Sequence, residues 1–252
     1  PYTSAIKDAG EAQVWNSFGW VSDQAYGKGI PDNQATESGY SSNLDTSATG
    51  LNIQGLWHVN ESSGALQFTD TAIAATPHLG TCTSASECPT AGAAGVLGNG
   101  ITFATRTKQM VTTTLDPSYA AMNSTTWAAW VKPTIPSSAV ITDPNEYGAN
   151  LHFVLSDGNQ ERGIQINGNN TITPADDVYT IFINRLPINT GVGVQYDAWQ
   201  HLAVVYDGTT AIKFYNNGKL IFTYNSSITL NTPGTKFYLG NNPYYNTRTN
   251  QY

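Results

Sequence analysis

The chain has 252 residues, of which only 12% are charged, and a formal net charge of −7 with 11 Lys and Arg spread along its length. That balance excludes a phosphate-binding surface for nucleic acid and an anionic membrane surface, both of which need clustered cations. No run of about 18 apolar residues occurs, so no helix of this sequence is expected to span a membrane.

Residues 3–19 place Ala5, Ile6, Ala9, Ala12 and Val14 at helical spacing, with Gly19 as a stop, and predict a short amphipathic helix. Residues 22–50 lose all hydrophobic period among Gly, Ser, Asn and Asp, with Gly27, Gly29 and Pro31 close together, and read as a polar linker. The absence of a methionine before Pro1 is read as removal of a leader. The expected organisation is therefore a helix and linker over 1–50 and one β domain over 51–252.

From Gly55 onward short β-rich runs alternate with turn residues. The expected strands are Leu56 to Val59, Ile101 to Ala104, Thr126 to Val131, Leu151 to Leu155, Gly163 to Ile166, Tyr179 to Asn184, His201 to Tyr206, Ala211 to Tyr215, Leu220 to Tyr224 and Lys236 to Leu239. Asn217-Gly218 supplies the two positive-φ positions of a type I′ hairpin turn. In the run containing Trp127 and Trp130 the two indoles point to opposite faces, so one of them is expected in the core. Trp57, Trp130 and Trp199 are read as packing residues.

Cys82 and Cys88 are the only cysteines and are read as a disulfide closing a short loop, the alternative being a pair of free thiols. The four histidines, His58, His78, His152 and His201, show no metal-ligand spacing. Asn60, Asn123, Asn169 and Asn225 fit the N-glycosylation acceptor pattern, and with the hydroxyl- and amide-rich composition they suit an extracellular or cell-surface protein. Glycosidase chemistry needs two carboxylates held close together. Glu61, Glu87, Glu146 and Glu161 are isolated and read as solvated surface, and the adjacent Asp176 and Asp177 read as a turn. The chain is thus expected not to be an enzyme. Tyr244, Tyr245, Asn246 and Arg248 offer flat aromatic faces beside hydrogen-bonding groups, the kind of surface that stacks on sugar rings; an exposed tyrosine loop is the alternative. The polar stretches Asp157 to Gln160 and Asn167 to Asn170 have the same character with less aromatic content.

Several runs in order resemble the laminin-G-like, or concanavalin-A-like, jelly-roll family. They are Gly55-Leu56-Trp57-His58-Val59-Asn60-Glu61, Gly98-Asn99-Gly100-Ile101-Thr102-Phe103, Thr126-Trp127-Ala128-Ala129-Trp130-Val131-Lys132-Pro133, the Trp199 to Gly208 run, and the Tyr215 to Leu220 turn. The resemblance covers about residues 50–245 and implies an all-β antiparallel sandwich. No cofactor is required. The family's calcium loop would fall at Thr69-Asp70-Thr71-Ala72, which holds little acid for a structural calcium ion. The family's closing Gly-x-Ile-Asp-x-Val strand has no counterpart before Tyr252, so the resemblance implies that the numbered chain is only part of the product, or that the N-terminal segment or a neighbouring molecule supplies the strand; an edge left open would suit self-assembly by strand addition. Pro1-Tyr2 and the Ala-rich helix also resemble, over fewer than 20 residues, the region just beyond the stem of type IV pilins. The reading that follows is a non-catalytic structural or adhesive subunit of a cell-surface appendage; the alternative is a secreted module that binds glycans or cell-surface proteins.

Overall fold

The computed structural model describes residues 53–72, 77–96, 98–104, 109–116, 124–134, 152–159, 161–167, 177–207, 211–225 and 229–240. Contacts divide the chain into Pro1–Asn33 and Gln34–Tyr252, and every described residue lies in the second unit. The helix expected over 3–19, most of the linker's neighbourhood up to residue 52, and the stretch holding Tyr244, Tyr245, Asn246 and Arg248 lie outside the described residues.

Strands follow wherever β-branched and aromatic residues alternate with smaller ones. In chain order they are β1 (Gln67–Phe68), β2 (Gly80–Thr81), β3 (Thr90–Ala94), β4 (Asn99–Thr102), β5 (Met110–Thr113), β6 (Thr125–Val131), β7 (His152–Ser156), β8 (Arg162–Asn167), β9 (Val178–Ile183), β10 (Leu186–Gly193), β11 (Gln200–Tyr206), β12 (Ala211–Asn216), β13 (Lys219–Asn225) and β14 (Tyr238–Gly240). Every pairing between them is antiparallel. One sheet runs β1-β2-β5-β14-β7-β8-β9-β10, a second runs β13-β12-β11-β6, and β3 pairs with β4. This is the β-sandwich jelly roll that the family resemblance implies.

The core is the space between the two larger sheets. The four-stranded sheet contributes Trp127, Leu202, Val204, Tyr206, Ile212 and Phe214, and the eight-stranded sheet contributes Leu155, Ile164, Ile166, Tyr179, Ile181 and Ile183. Burying each such side chain contributes about 1.5–3 kcal/mol. Trp127 meets Phe237 edge-on at 4.9 Å between centroids, and Tyr206 at 6.0 Å. A smaller cluster of Phe68, Cys88, Ala91 and Val111 fills the β1–β2–β5 end, and the Cys82–Cys88 disulfide borders it.

The expected strand at Leu56 to Val59 is reduced to a single bridge between Trp57 and Asp70. Trp57 instead stacks on Phe237 at 5.8 Å and donates its indole N–H to the carbonyl of His78, while Val59 takes a φ of 52° that no extended strand allows. β10 is absent from the expected strands and contains Pro187, Gly191 and Gly193. It stands at a sheet edge, where a proline's missing N–H leaves no ladder bond unmade.

Candidate functional site

β6 and β11 pair over seven consecutive residues with no bulge, from Thr125↔Tyr206 to Val131↔Gln200. Because side chains alternate along a strand, the burial of Trp127, Leu202 and Val204 forces Trp130, His201 and Ala203 to the opposite, outward face. The outward rows of the sheet follow from register. Trp130 stands beside His201; Ala128, Ala203, Tyr215 and Leu220 form the next row; Thr126, Val205, Lys213 and Thr223 form the third. Two alanines, Ala128 exposed and Ala203 buried, thus stand in the row next to the Trp130–His201 pair, with Tyr215 and Leu220 farther along that row.

Trp130 is 43% exposed, against 8% for Trp127 three residues earlier. Its ring meets His201 edge-on at 5.2 Å between centroids. The backbone of His201 is fixed by Asn217 at the β12–β13 turn: His201 N–H donates to Asn217 Oδ1, and Asn217 N–H donates to the His201 carbonyl. Burial lowers the His201 pKa below its ordinary value, so at neutral pH the ring is uncharged and offers one donor and one acceptor. Trp199, one residue before β11, is 36% exposed, and the loop carrying it is tied to the end of β6 by Asp197 N–H donating to the Pro133 carbonyl. Trp130 and Trp199 are therefore surface aromatics, which corrects their assignment as packing residues; Trp57 does pack. The strands of this sheet contain no Asp or Glu. The face can hold a flat apolar ring and hydrogen-bond its rim, and its strands present no carboxylate pair of the kind glycoside hydrolysis uses.

The buried carboxylates are occupied elsewhere. Asp70 Oδ1 accepts the Leu56 and Ala72 amides, and Oδ2 accepts the His78 amide and faces His78 Nδ1 at 3.2 Å. A calcium ion at the expected Thr69–Ala72 loop would have to displace those donors. Asp157 accepts the amides of Asn159, Glu161 and Gly234; burial raises its pKa while these backbone donors pull it down. Glu161 takes Arg185 Nε at 2.7 Å and Asn231 Nδ2 at 2.9 Å. Asp177 accepts the Tyr196 hydroxyl. Glu161 and Asp177 are thus buried, contrary to the surface and turn readings, because each satisfies donors that would otherwise be orphaned in the interior. The Asp157 to Asn159 stretch is a structural junction for the same reason. Glu61 accepts the Thr69 amide, and Glu146 and Asp176 lie outside the described residues.

Among the other predicted positions, Asn60 and Asn225 are exposed, and Asn123 and Asn169 lie outside the described residues. No group of three or more His, Cys, Asp and Glu suited to a metal ion occurs among the described residues. The pilin-like segment also lies outside them, and nothing in the described sandwich bears on an appendage role. Part of the signal for the Trp130 face is present in the sequence, since alternation separates the two indoles of β6; the packing reading of Trp130 chose the wrong one of the two as buried.

Nothing among the curated proteins matches the chain. Solved structures similar to the chain include two at low identity. One is domain 4 of AbnA, a GH43 extracellular arabinanase from Geobacillus stearothermophilus, in complex with arabinotriose, at 16% identity and a TM-score of 0.40, over 60% of this chain and 65% of that one, just short of two thirds of its length. The other is the carbohydrate binding module CBM66 from Bacillus subtilis, at 12% identity and a TM-score of 0.32, over 61% of this chain and 89% of that one. The sequence profile of a laminin-G family, described as concanavalin A-like lectin/glucanases superfamily, matches residues 105–251, more than half of the chain. With those matched residues contributing β5 through β14 to the antiparallel sandwich, the chain belongs to the concanavalin A-like lectin/glucanase superfamily.

Proposed function

We propose that the chain is a non-catalytic, extracellular carbohydrate-binding module that receives glycan on the outward face of its four-stranded sheet. One observation carries the reading: Trp130, on a bulge-free strand, leaves 43% of its surface to solvent beside His201 and a row that holds two alanines. A solvent-exposed indole on a regular strand presents a flat apolar face with an N–H at its edge, and a sugar ring offers an apolar face of matching size with hydroxyls at its rim. Membership in a superfamily of lectins and glucanases favours the same class of ligand. The spent state of Asp70, Asp157, Glu161 and Asp177 favours binding over hydrolysis.

The module is read as spanning residues 51–252, with 1–50 as helix and linker. Tyr244, Tyr245, Asn246 and Arg248 are proposed as accessory contacts, and Asn60 and Asn225 as glycosylation positions. Calorimetric titration of the full chain with a panel of neutral and acidic polysaccharides tests the reading. At least one is expected to bind, and Trp130→Ala is expected to weaken it by roughly tenfold or more, the scale of an aromatic anchor. Binding that survives Trp130→Ala but not the paired change Tyr244→Ala and Tyr245→Ala would move the site to the tail; a panel with no ligand would refute the function.

A further inference from the structure

The two larger sheets have four edges among the described residues, at β1, β10, β13 and β6. An exposed edge is a template for another strand, and proteins blunt such edges with shortness, proline, bulges or charge. β1 is two residues long. β10 carries Pro187 and a break in register between Asn189 and Gly193. β13 begins with Lys219 and meets its neighbour through a register shift at Phe214/Tyr215. β6 has none of these devices: Thr125–Val131 is seven residues long, with no charge, proline or glycine, and its inner side is in unbroken register with β11.

We infer that β6 is a self-recognition edge, pairing antiparallel with β6 of a second copy of this chain so that two four-stranded sheets become one continuous sheet. The sequence of the strand argues for that occupant. Trp127 faces the core and Trp130 faces outward, so only pairings that keep odd-numbered residues beside odd-numbered ones leave the side chains on their proper faces. Centring the pair on Ala128 is the register that satisfies this and uses all seven residues. It sets Trp127 beside Ala129 of the second copy, Trp130 beside Thr126, and Thr125 beside Val131, with Ala128 meeting Ala128 on the two-fold axis. Each indole therefore lies next to a small side chain, on both faces and in both directions, and no like charges meet across the seam despite a net charge of −7 per chain. The two Trp130 side chains would then share one outward face about 14 Å apart, from four residues of strand rise and one interstrand step. This inference goes beyond the glycan reading and does not rest on it.

The test needs no glycan. The mass of the full chain is followed by light scattering from dilute solution to the highest soluble concentration, for the native chain and for Ala128→Lys and Ala128→Glu. Ala128 points outward and is exposed, so both variants are expected to fold, with circular dichroism and thermal midpoint checking that they do. The native chain is expected to move from 27.1 kDa toward twice that mass, each variant alone to stay at 27.1 kDa because like charges meet on the axis, and an equimolar mixture of the two to recover the dimer. A native chain that stays monomeric at every concentration, a single variant that dimerises as the native chain does, or a mixture that stays monomeric would each overturn the inference.

Discussion

Two regions of this sandwich concentrate polar and aromatic chemistry, and they use it in opposite ways. At the junction of the β7–β8 turn, the β9–β10 turn and the segment before β14, Asp157, Glu161, Asn184, Arg185 and Asn231 are tied to each other and to backbone amides. On the outward face of the four-stranded sheet, Trp130 pairs with His201, while Tyr215 and Lys213 stand in the next rows with alanines and threonines, and Trp130 keeps 43% of its surface open. The first arrangement holds loops; the second is available to a ligand. Titratable residues alone would have pointed to the first, since it holds buried carboxylates, but Asp157 is engaged by backbone N–H groups and Glu161 by Arg185 and Asn231, so both serve the interior.

The contrast between the faces is sharpest within β6 itself. Trp127→Ala removes a core ring packed on Phe237 and Tyr206 and is expected to cost about 3–5 kcal/mol in chemical unfolding, whereas Trp130→Ala should change stability by less than about 1 kcal/mol while weakening glycan binding. Equal losses of stability in the two variants would erase the distinction between core and ligand face. Asp157→Ala comes next: it leaves the Asn159, Glu161 and Gly234 amides without their acceptor and should cost roughly 2–4 kcal/mol in the same unfolding measurement, with glycan affinity of the folded fraction unchanged. A loss of affinity without loss of stability in that variant would place the junction in the binding site. Opening the Cys82–Cys88 loop by Cys82→Ser with Cys88→Ser should cost about 2 kcal/mol at most, since the loop it closes is short.

The smallest expected effect is in pH. Burial lowers the pKa of His201 and of His58 in the folded chain, Glu61 opposing this at His58, so the unfolded chain takes up these protons first. Stability from this source is full above about pH 6.5 and declines as pH falls toward the folded-state values. His201→Gln should flatten that part of the stability–pH curve, and an unchanged slope would show that His201 is as solvated in the folded chain as in the unfolded one.

Much of the sandwich was legible because β6, β11, β12 and β13 are runs rich in β-branched and aromatic residues and Asn217-Gly218 takes the positive φ values, 51° and 75°, that its turn requires. The β9–β10 hairpin was not, since its turn is Asn184-Arg185 with φ of 52° and 68° and no glycine to announce it. That turn is held by tertiary bonds, from Asn184 to Thr229 and Asn231 and from Arg185 to Glu161, which no local pattern encodes. β1 and β2, two residues each, and β3, built of Thr, Ala and Gly, carry too little period to read. At the candidate site the residue types were visible, but exposure was not. Whether Trp127 or Trp130 turns inward depends on which side of β6 faces the eight-stranded sheet, a property of the packed molecule.

The most direct test of the glycan-binding face is a map of backbone and indole NMR shifts on adding a soluble oligosaccharide of whichever polysaccharide binds. The account predicts the largest changes at the Trp130 indole, His201, Tyr215 and their strand neighbours. Changes gathered instead around Asp157 and Glu161, or confined to the stretch from Tyr244 to Arg248, would contradict it.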